Sequence, residues 1–341
     1  MRSLYVLLTA AAFCAAPILN RPAAAQSMYT DTEPTPMGFG GSVAISDGDV
    51  FVGSAPIGWP AGDDPAGEVY RYTRSADGAW SEAGRLMSPG AEFGDQFGRS
   101  VVAANGMLYV GAPAQDAVYV FESGADGWRH SSTLKPQHFH GEGYEFGGAY
   151  ARGGYRAQTI AAFDGHVAVT SYNADEDAGV VHVFDESGNQ VRMIAAGAWS
   201  VAGHGHHLFV GTPMARDGQG GLHVYGVMSD GSLHAHTVDV SMLAENANVG
   251  FSLAYAGGRL YVGAPGQGGR GAVLVYEMSG GGWSRTGMLS QPDSDDMRSA
   301  FGQSLSASGT DLLVGANGAV FVYDTADPSA DPAHIDRPEG Q

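Results

Sequence analysis

Aromatic and basic side chains are concentrated among glycines between residues 137 and 156, in a segment without the alternation of a regular strand. Tyrosine and arginine are favoured in recognition surfaces because they combine a large contact area with hydrogen bonds at a small entropic cost. The segment is therefore predicted to contact a ligand through His138, His140, Tyr144, Tyr150, Arg152 and Tyr155. The alternative interpretation is that it packs its own aromatic rings over neighbouring strands.

Acidic residues form two shorter groups, and carboxylate oxygens are the ligands that a hard cation such as calcium prefers. The first group, Asp63 and Asp64 near Trp59, is assigned to the same ligand surface; the second comprises Asp175, Glu176 and Asp177. Acidity in loops more often means a solvated surface. No metal site is therefore predicted, and the second group is kept only as the alternative.

Histidines recur in one hairpin and one later strand, at His204, His206, His207, His234 and His236. Imidazoles bind zinc, but no carboxylate or cysteine accompanies them at a familiar spacing, so exposed histidines are expected instead. The sequence also lacks a Gly-x-Ser-x-Gly nucleophile motif, a phosphate-binding Gly-x-x-x-x-Gly-Lys loop and a His-Glu-x-x-His motif. These observations predict that the protein is not an enzyme.

The charge balance excludes two classes of partner. The 341 residues include 17 Lys and Arg against 36 Asp and Glu, a formal net charge of -19. Nucleic acids and anionic lipids attract basic surfaces, so neither is an expected partner.

The first 25 residues have the pattern of a secretory signal. Arg2 precedes an apolar stretch from Leu4 to Ala16, and the small residues 23–25 follow it. Cleavage would also remove Cys14, the only cysteine, so no disulfide is expected in the exported chain. The predicted location is extracellular or periplasmic, without membrane insertion.

A repeated phrase organises the rest of the chain. In three copies, which begin at Phe39, Phe97 and Phe301, a Phe-Gly pair begins a strand and a Val-Gly pair ends the next strand, with the phenylalanine and the valine thirteen residues apart. Degenerate copies that begin at residues 156, 197 and 249 keep this spacing to a valine, so the copies follow one another at intervals of 41 to 59 residues. Such intervals exceed those of leucine-rich or ankyrin repeats and are typical of propeller blades.

Each repeat has the periodicity of four short strands, so the predicted fold is an all-β propeller of four-stranded antiparallel blades. Six blades are expected, with seven as the alternative. After Tyr323 the chain is rich in proline and aspartate, which disfavour a strand. The sixth blade is therefore predicted to be completed by Ser27 to Thr32, with His334 to Ile335 as the alternative. The predicted segments are a signal (1–25), a closing strand and linker (26–38), the propeller (39–323) and an acidic, proline-rich tail (324–341).

The repeated phrases resemble the FG-GAP repeat of integrin α-subunit propellers and of a secreted bacterial group. The resemblance rests on Phe39-Gly40, Phe97-Gly98, Gly111-Ala112-Pro113 and Gly263-Ala264-Pro265, with Asp95 before one Phe-Gly pair and Trp128 after the third strand of that repeat. It implies a propeller used for binding or adhesion. The family often carries calcium in Asp-x-Asp-x-Asp-Gly loops, but the matching turns here, such as Asn105-Gly106, are too short to surround the ion. No cofactor is therefore predicted.

The functional expectation from the sequence is a secreted, non-catalytic adhesion module. Its predicted partner is an extracellular or cell-surface protein, or a glycan, bound on the face that carries the long loops. Two alternatives remain at this point: a carbohydrate-binding propeller, and an extracellular hydrolase or lyase with acidic residues at the mouth of the channel.

Overall fold

The computed structural model describes residues 38–46, 48–56, 65–76, 79–125, 127–137, 144–148, 159–173, 178–195, 197–227, 232–238, 240–241, 243–292, 299–317 and 319–336. The chain divides into two compact units. The first comprises residues within Met1–Phe139 and Glu145–Arg156, and the second comprises residues within His140–Tyr144 and Ala157–Gln341. Regular structure within these ranges consists of strands and two short 3-10 helices, Pro113–Gln115 and Gln267–Gly269. No helix in the described part of the chain is long and apolar enough to cross a membrane. The predicted all-β class is confirmed.

The first unit contains two antiparallel sheets whose strands pair in sequence order. Blade 1 consists of β1 (Phe39–Ser46), β2 (Asp49–Ser54), β3 (Glu68–Arg74) and β4 (Trp80–Leu86). Blade 2 consists of β5 (Ser100–Ala104), β6 (Met107–Ala112), β7 (Ala117–Gly124) and β8 (Gly127–Leu134), and the short strand β9 (Tyr144–Phe146) follows it.

The second unit contains four sheets with the same strand order. Blade 3 consists of β10 (Ile160–Phe163), β11 (His166–Asn173), β12 (Ala178–Phe184) and β13 (Gln190–Ala195); blade 4 of β14 (Ser200–His204), β15 (His207–Gly211), β16 (Leu222–Val227) and β17 (Leu233–Thr237). Blade 5 consists of β18 (Leu253–Ala256), β19 (Arg259–Ala264), β20 (Ala272–Ser279) and β21 (Gly282–Leu289); blade 6 of β22 (Ser304–Ser308), β23 (Asp311–Ala316), β24 (Ala319–Asp324) and β25 (Ala333–Asp336). Six four-stranded blades of a β-propeller fold are therefore confirmed.

Tight turns join the first two strands of the blades, as the sequence predicts. In blade 2, Ala104 pairs with Met107 across a two-residue turn. Asn105 and Gly106 have φ angles of 53° and 73°. A two-residue hairpin of this type requires positive φ at both central positions, which asparagine and glycine tolerate best. The turn chemistry therefore fixes the register of β5 against β6.

The phenylalanines that begin the repeated phrases at residues 97 and 301 are anchors of the apolar core. Phe97 is fully buried and packs edge-to-face on Tyr119, at 5.7 Å between ring centroids. Phe301 is equally buried and packs on Phe321 at 5.5 Å. In both blades the phenylalanine precedes the first strand and contacts the third, so it ties the start of a blade to its middle.

A recurring hydrogen bond joins neighbouring blades, and we call it the serine–glycine bridge. The serine at the fourth position of the repeated phrase donates its hydroxyl hydrogen to the carbonyl of the glycine at the second position of the next phrase. The bridges are Ser42 to Gly98 (2.7 Å), Ser100 to Gly147 (2.6 Å), Ser200 to Gly250 (2.8 Å) and Ser252 to Gly302 (2.7 Å).

The glycine of the Val-Gly pair leaves room for this bridge. A Cβ atom at Gly211 would lie 2.0 Å from the carbonyl oxygen of Gly250 and 2.5 Å from Ser200 Oγ. Real Cβ atoms do not approach other atoms so closely, so any side chain there would separate the blades. The repeated Val-Gly pair is thus explained by a backbone approach between blades.

The serine–glycine bridge corrects the register of the third repeat. Ser100 bridges to Gly147, and Phe146 is fully buried like the other anchors. The third Phe-Gly pair is therefore Phe146-Gly147, and the predicted start at Arg156 is wrong. The reason is that a long segment separates this pair from its first strand, β10, so the thirteen-residue spacing does not apply to it.

The last blade is completed from the C-terminal side. In blade 6, β25 pairs antiparallel with β24, with Val320 opposite Ile335. The prediction that Ser27 to Thr32 closes this blade is wrong, and the alternative strand around His334 is confirmed. The aspartates before β25 form turns: the carboxylates of Asp324 and Asp327 accept hydrogen bonds from the backbone N–H groups of Ala326 and Ser329. Such turns reverse the chain, so the proline- and aspartate-rich stretch is a connection inside the predicted tail. Ser27 to Thr32 itself lies outside the described residues.

Removing a serine–glycine bridge should destabilise the fold measurably. We expect Ser200→Ala to lower the free energy of unfolding by about 1–3 kcal/mol, because the buried Gly250 carbonyl loses its partner. Gly211→Ala should cost at least as much, because the added methyl group displaces the next blade. Thermal unfolding of both variants, with the exposed Ser284→Ala as control, measures this; equal midpoints for all three would contradict it.

Candidate functional site

The ligand contacts predicted from sequence lie outside the described residues. This holds for Trp59, Asp63, Asp64, His138, His140, Tyr150, Arg152 and Tyr155, and for the alternative cation ligands Asp175, Glu176 and Asp177; only the backbone of Tyr144, in β9, is described. Their proposed role therefore stays a prediction.

An aspartate in blade 2 occupies a position that the other five blades give to glycine. Asp116 is the last residue of the connection between β6 and the third strand, β7. The equivalent residues are Gly67, Gly179, Gly220, Gly271 and Gly318. Asp116 has a φ angle of 49°, in the left-handed region that favours glycine. A carboxylate is thus held where the backbone of the repeat prefers no side chain.

The Asp116 carboxylate takes part in joining the blade to the next Phe-Gly pair. In blade 1, the N–H of Phe97 donates to the carbonyl of Ala66, at 2.8 Å. In blade 2, the corresponding N–H of Phe146 donates to the Asp116 side chain. This carboxylate is therefore oriented by a backbone hydrogen bond while it remains half-exposed.

The electrostatic surroundings of Asp116 favour proton exchange. Burial raises the pKa of Asp116 above its ordinary value, and it outweighs the opposing effects of Lys135 and of the Phe146 N–H. A carboxyl group with a raised pKa is a common feature of general acid–base sites. Lys135 is the only lysine in the chain, and it follows directly after β8.

Further polar side chains lie on the same connection side of blade 2. Arg99 is only 5% exposed, donates from Nη1 to the Pro56 carbonyl at 3.1 Å, and has its stem beside Gly148. Tyr119 donates from its hydroxyl to Gln115 Oε1 at 2.5 Å. Arg99 and Lys135 are therefore two basic groups on the connection side of blade 2, in a chain whose net charge is strongly negative.

Asp95 lies buried in the loop that leads into blade 2. Its carboxylate accepts a hydrogen bond from the Glu92 backbone N–H at 2.7 Å. Burial, and to a lesser degree the Asp95 charge, raises the pKa of Tyr119. This aspartate shapes its own loop, whereas the Asp116 carboxylate is half-exposed.

A serine–histidine pair in blade 3 has the atoms of a nucleophilic site but the burial of a core contact. Ser171 Oγ lies 2.8 Å from His182 Nε2, and Gln190 Oε1 lies 3.3 Å from His182 Nδ1. A catalytic pair needs a reachable hydroxyl and usually a carboxylate behind the imidazole. Ser171 and His182 are 3% and 1% exposed, and an amide takes the place of the carboxylate. We therefore assign them to the core.

The histidines of blade 4 form contacts rather than a metal site. His206 Nδ1 lies 2.8 Å from an Asp164 carboxylate oxygen, and His204 stacks on Tyr255 at 3.9 Å. The described residues contain no group of three or more His, Cys, Asp or Glu side chains placed to hold a metal ion. Burial lowers the pKa of His207, and the nearby His236, His206 and His204 lower it further.

Comparisons with known proteins identify the fold but no family. No protein-family model matches the chain, and no curated protein matches it. The periplasmic gluconolactonase PpgL of Pseudomonas aeruginosa has a similar structure, with a TM-score of 0.55, 13% identity, and coverage of 87% of this chain and 85% of that one. A Bacteroides fragilis protein assigned provisionally as a 6-phosphogluconolactonase has a TM-score of 0.54 and 11% identity, with coverage of 88% of this chain and 85% of that one. A Bacteroides uniformis protein with the same provisional assignment has a TM-score of 0.53 and 12% identity, with coverage of 87% of this chain and 85% of that one.

These similarities correct the expected function. Three solved propellers with a similar fold are named as a gluconolactonase or, provisionally, as 6-phosphogluconolactonases, and this finding overturns the expectation of a non-catalytic adhesion module. At 11–13% identity the similarity establishes the shared fold alone.

Sequence reasoning missed Asp116 and Lys135, although two signals were present. The aspartate departs from a glycine found in every other repeat, and the lysine is unique in the composition. Neither signal belongs to a known motif, so a search for motifs passes over both.

Acid should destabilise blade 4 through His207. The pKa of His207 is lowered in the folded protein, so the fold favours the neutral imidazole. The resulting stability is present above about pH 6.5, the ordinary pKa of histidine, and it is lost as the pH falls below that value. We expect the thermal midpoint of wild type to fall more steeply between pH 7.5 and 5.5 than that of His207→Phe. Parallel pH profiles would show that His207 does not contribute.

Proposed function

We propose that the protein is a hydrolase of sugar-acid lactones, with Asp116 as its general base. The observation that carries the proposal is the half-buried Asp116 carboxylate with a raised pKa, at a position where the repeat has glycine. The reaction class comes from the lactonases with a similar fold. The same fold hosts many functions, so the residues of the site must provide the chemistry.

The Asp116 carboxylate would take a proton from a water molecule as the water oxygen attacks the lactone carbonyl carbon. The resulting tetrahedral intermediate carries negative charge on the former carbonyl oxygen. When the ring C–O bond breaks, the leaving oxygen takes the proton back from the Asp116 carboxylic acid. The product is the open hydroxy acid, and the aspartate returns to its ionised form, so atoms and charges balance.

Lys135 and Arg99 would supply positive charge for this substrate class. Lys135 acts electrostatically on Asp116, and Arg99 is held on the same side of blade 2. A sugar-acid lactone develops negative charge in the transition state, and its phosphorylated form carries a phosphate group as well. Lysine and arginine stabilise such charge, and they matter more where the rest of the chain repels anions. Lys135 is our candidate for substrate binding.

We further propose that the chain is an FG-GAP-type propeller exported by its N-terminal segment. The Phe-Gly and Val-Gly pairs and the serine–glycine bridges that join them support the first part. The charge and apolar pattern of residues 1–25 supports the second. N-terminal sequencing of the mature protein should begin at Gln26; retention of Met1 in the exported fraction would contradict export by cleavage.

Replacement of the proposed base should abolish catalysis without unfolding the protein. We expect Asp116→Asn to reduce kcat for D-glucono-lactone hydrolysis about 10²–10⁴-fold, because the amide takes up no proton. A pH-stat corrected for spontaneous hydrolysis measures the rate. In wild type, kcat/KM should rise with pH through an inflection above the ordinary aspartate value of about 3.9, because burial raises the pKa of Asp116.

Asp116→Gly is the matched control for folding, because it restores the residue of the other blades. It removes the carboxylate and the left-handed strain together, so thermal stability should be kept while hydrolysis is lost. Hydrolysis at the wild-type rate in either variant would overturn the role of Asp116. A wild-type protein that accelerates no lactone would overturn the proposed function itself.

A further inference from the structure

At the junction between blades 3 and 4, both glycines of the serine–glycine bridge are replaced by other residues. Thr170 stands where the other blades have the glycine of the Val-Gly pair, and Ala198 stands where they have the glycine of the Phe-Gly pair. Thr212, just after β15, corresponds to Ala112, Ala264 and Ala316 in three other blades. Polar side chains have therefore replaced the small residues that elsewhere allow close backbone contact.

Three polar side chains at this junction are buried without a hydrogen-bond partner. Within the described residues, Thr170 Oγ1, Trp199 Nε1 and Thr212 Oγ1 are inaccessible and unpaired. The three residues are 1%, 1% and 0% exposed. Buried polar atoms in folded proteins almost always have a partner, since leaving one without it costs free energy. Three at one junction indicate that a polar molecule belongs there.

The three polar atoms are directed toward the same junction. Thr170 and Tyr172 lie two residues apart on β11, so their side chains share a face, and the Tyr172 ring packs on Trp199 at 5.0 Å. The Trp199 backbone N–H donates to the Gly211 carbonyl at 2.9 Å, beside Thr212. Val210 packs in one apolar cluster with Val181 of blade 3, and Thr212, two residues further on, points the same way.

Aromatic rings provide an apolar surface beside these polar atoms. Tyr172 packs edge-to-face on Trp199, and the Phe251 ring lies 5.6 Å from the indole. Aromatic surface combined with separate hydrogen-bonding groups suits a ligand that has C–H faces and several hydroxyl groups. A polyhydroxylated carbon chain or ring has this character.

One cationic side chain, Arg216, lies in the connection between β15 and β16 of blade 4. His223 is adjacent to Leu222 at the start of β16 and is partly exposed, and the exposed Arg216 is near enough to influence it electrostatically. Arg216 and Asp217 both have φ angles of 55°, an unfavourable conformation for these residues that is often found in functional loops. Arg216 is therefore a cationic group that is available to an anionic ligand.

We propose that the junction of blades 3 and 4 binds a sugar acid, with its hydroxyl groups at Thr170, Trp199 and Thr212 and its carboxylate toward Arg216. The ligand class matches the product of the proposed lactone hydrolysis, but the argument rests on this junction alone. It does not require Asp116 to be catalytic.

The test is a titration with D-gluconate followed by the fluorescence of Trp199. We expect a saturable change that is absent in Trp199→Phe. The double variant Thr170→Gly/Thr212→Ala restores residues used by other blades, so it should fold normally while its affinity for D-gluconate falls at least tenfold. Arg216→Gln should weaken D-gluconate and leave binding of uncharged D-glucitol unchanged.

The outcomes separate this site from the catalytic one. Asp116→Asn should bind D-gluconate at Trp199 with wild-type affinity even if it hydrolyses nothing. Wild-type affinity in the double variant would overturn the proposal. A fluorescence change that persists in Trp199→Phe, or is lost only in Asp116→Asn, would also overturn it. The proposal would also be overturned if the double variant gained thermal stability while the wild-type fluorescence did not respond to D-gluconate. Ordered water alone would then account for the unpaired atoms.

Discussion

Each unit is assembled on one recurring contact between neighbouring blades. A serine hydroxyl donates to a glycine carbonyl of the next blade, and a second glycine, which has no side chain, leaves room for this contact. It appears within the first unit at Ser42 and within the second at Ser200 and Ser252. The contact satisfies a buried carbonyl and sets the distance between two backbones at once. It accounts for the three small elements of the repeat, the serine and the two glycines, and the buried phenylalanine holds the same point from inside the blade.

Departures from the repeat coincide with the two proposed sites. In blade 2 a glycine position holds Asp116, whose carboxylate is oriented by the Phe146 N–H and has a raised pKa. At the junction of blades 3 and 4, threonine and alanine replace both glycines, and polar atoms are left buried and unpaired. Because a repeat shows what the scaffold needs, a residue that breaks it without improving packing has another reason to be present.

The sequence predicts the architecture because its constraints are local and repeated six times. Turns such as Asn105-Gly106 and the alternation of the strands follow from short-range chemistry. The third repeat was misplaced because an insertion separates Phe146-Gly147 from its strand, and the last blade because proline-rich sequence hides a reversing turn before β25. The site was harder to predict: burial and the Phe146 hydrogen bond, which give Asp116 its properties, depend on residues distant in sequence. The predicted loop contacts lie outside the described residues, so they remain predictions.

The central claim is that Asp116 and the only lysine form one anion-binding, proton-exchanging site in blade 2. Reductive ¹³C-dimethylation keeps the lysine charge and labels Lys135 alone among the side chains, with the N-terminal amine as an internal reference. The Lys135 methyl resonance should shift on addition of D-gluconate. It should also report an ionisation above the ordinary aspartate value that disappears in Asp116→Asn. A resonance that responds neither to D-gluconate nor to the Asp116 substitution would contradict the account.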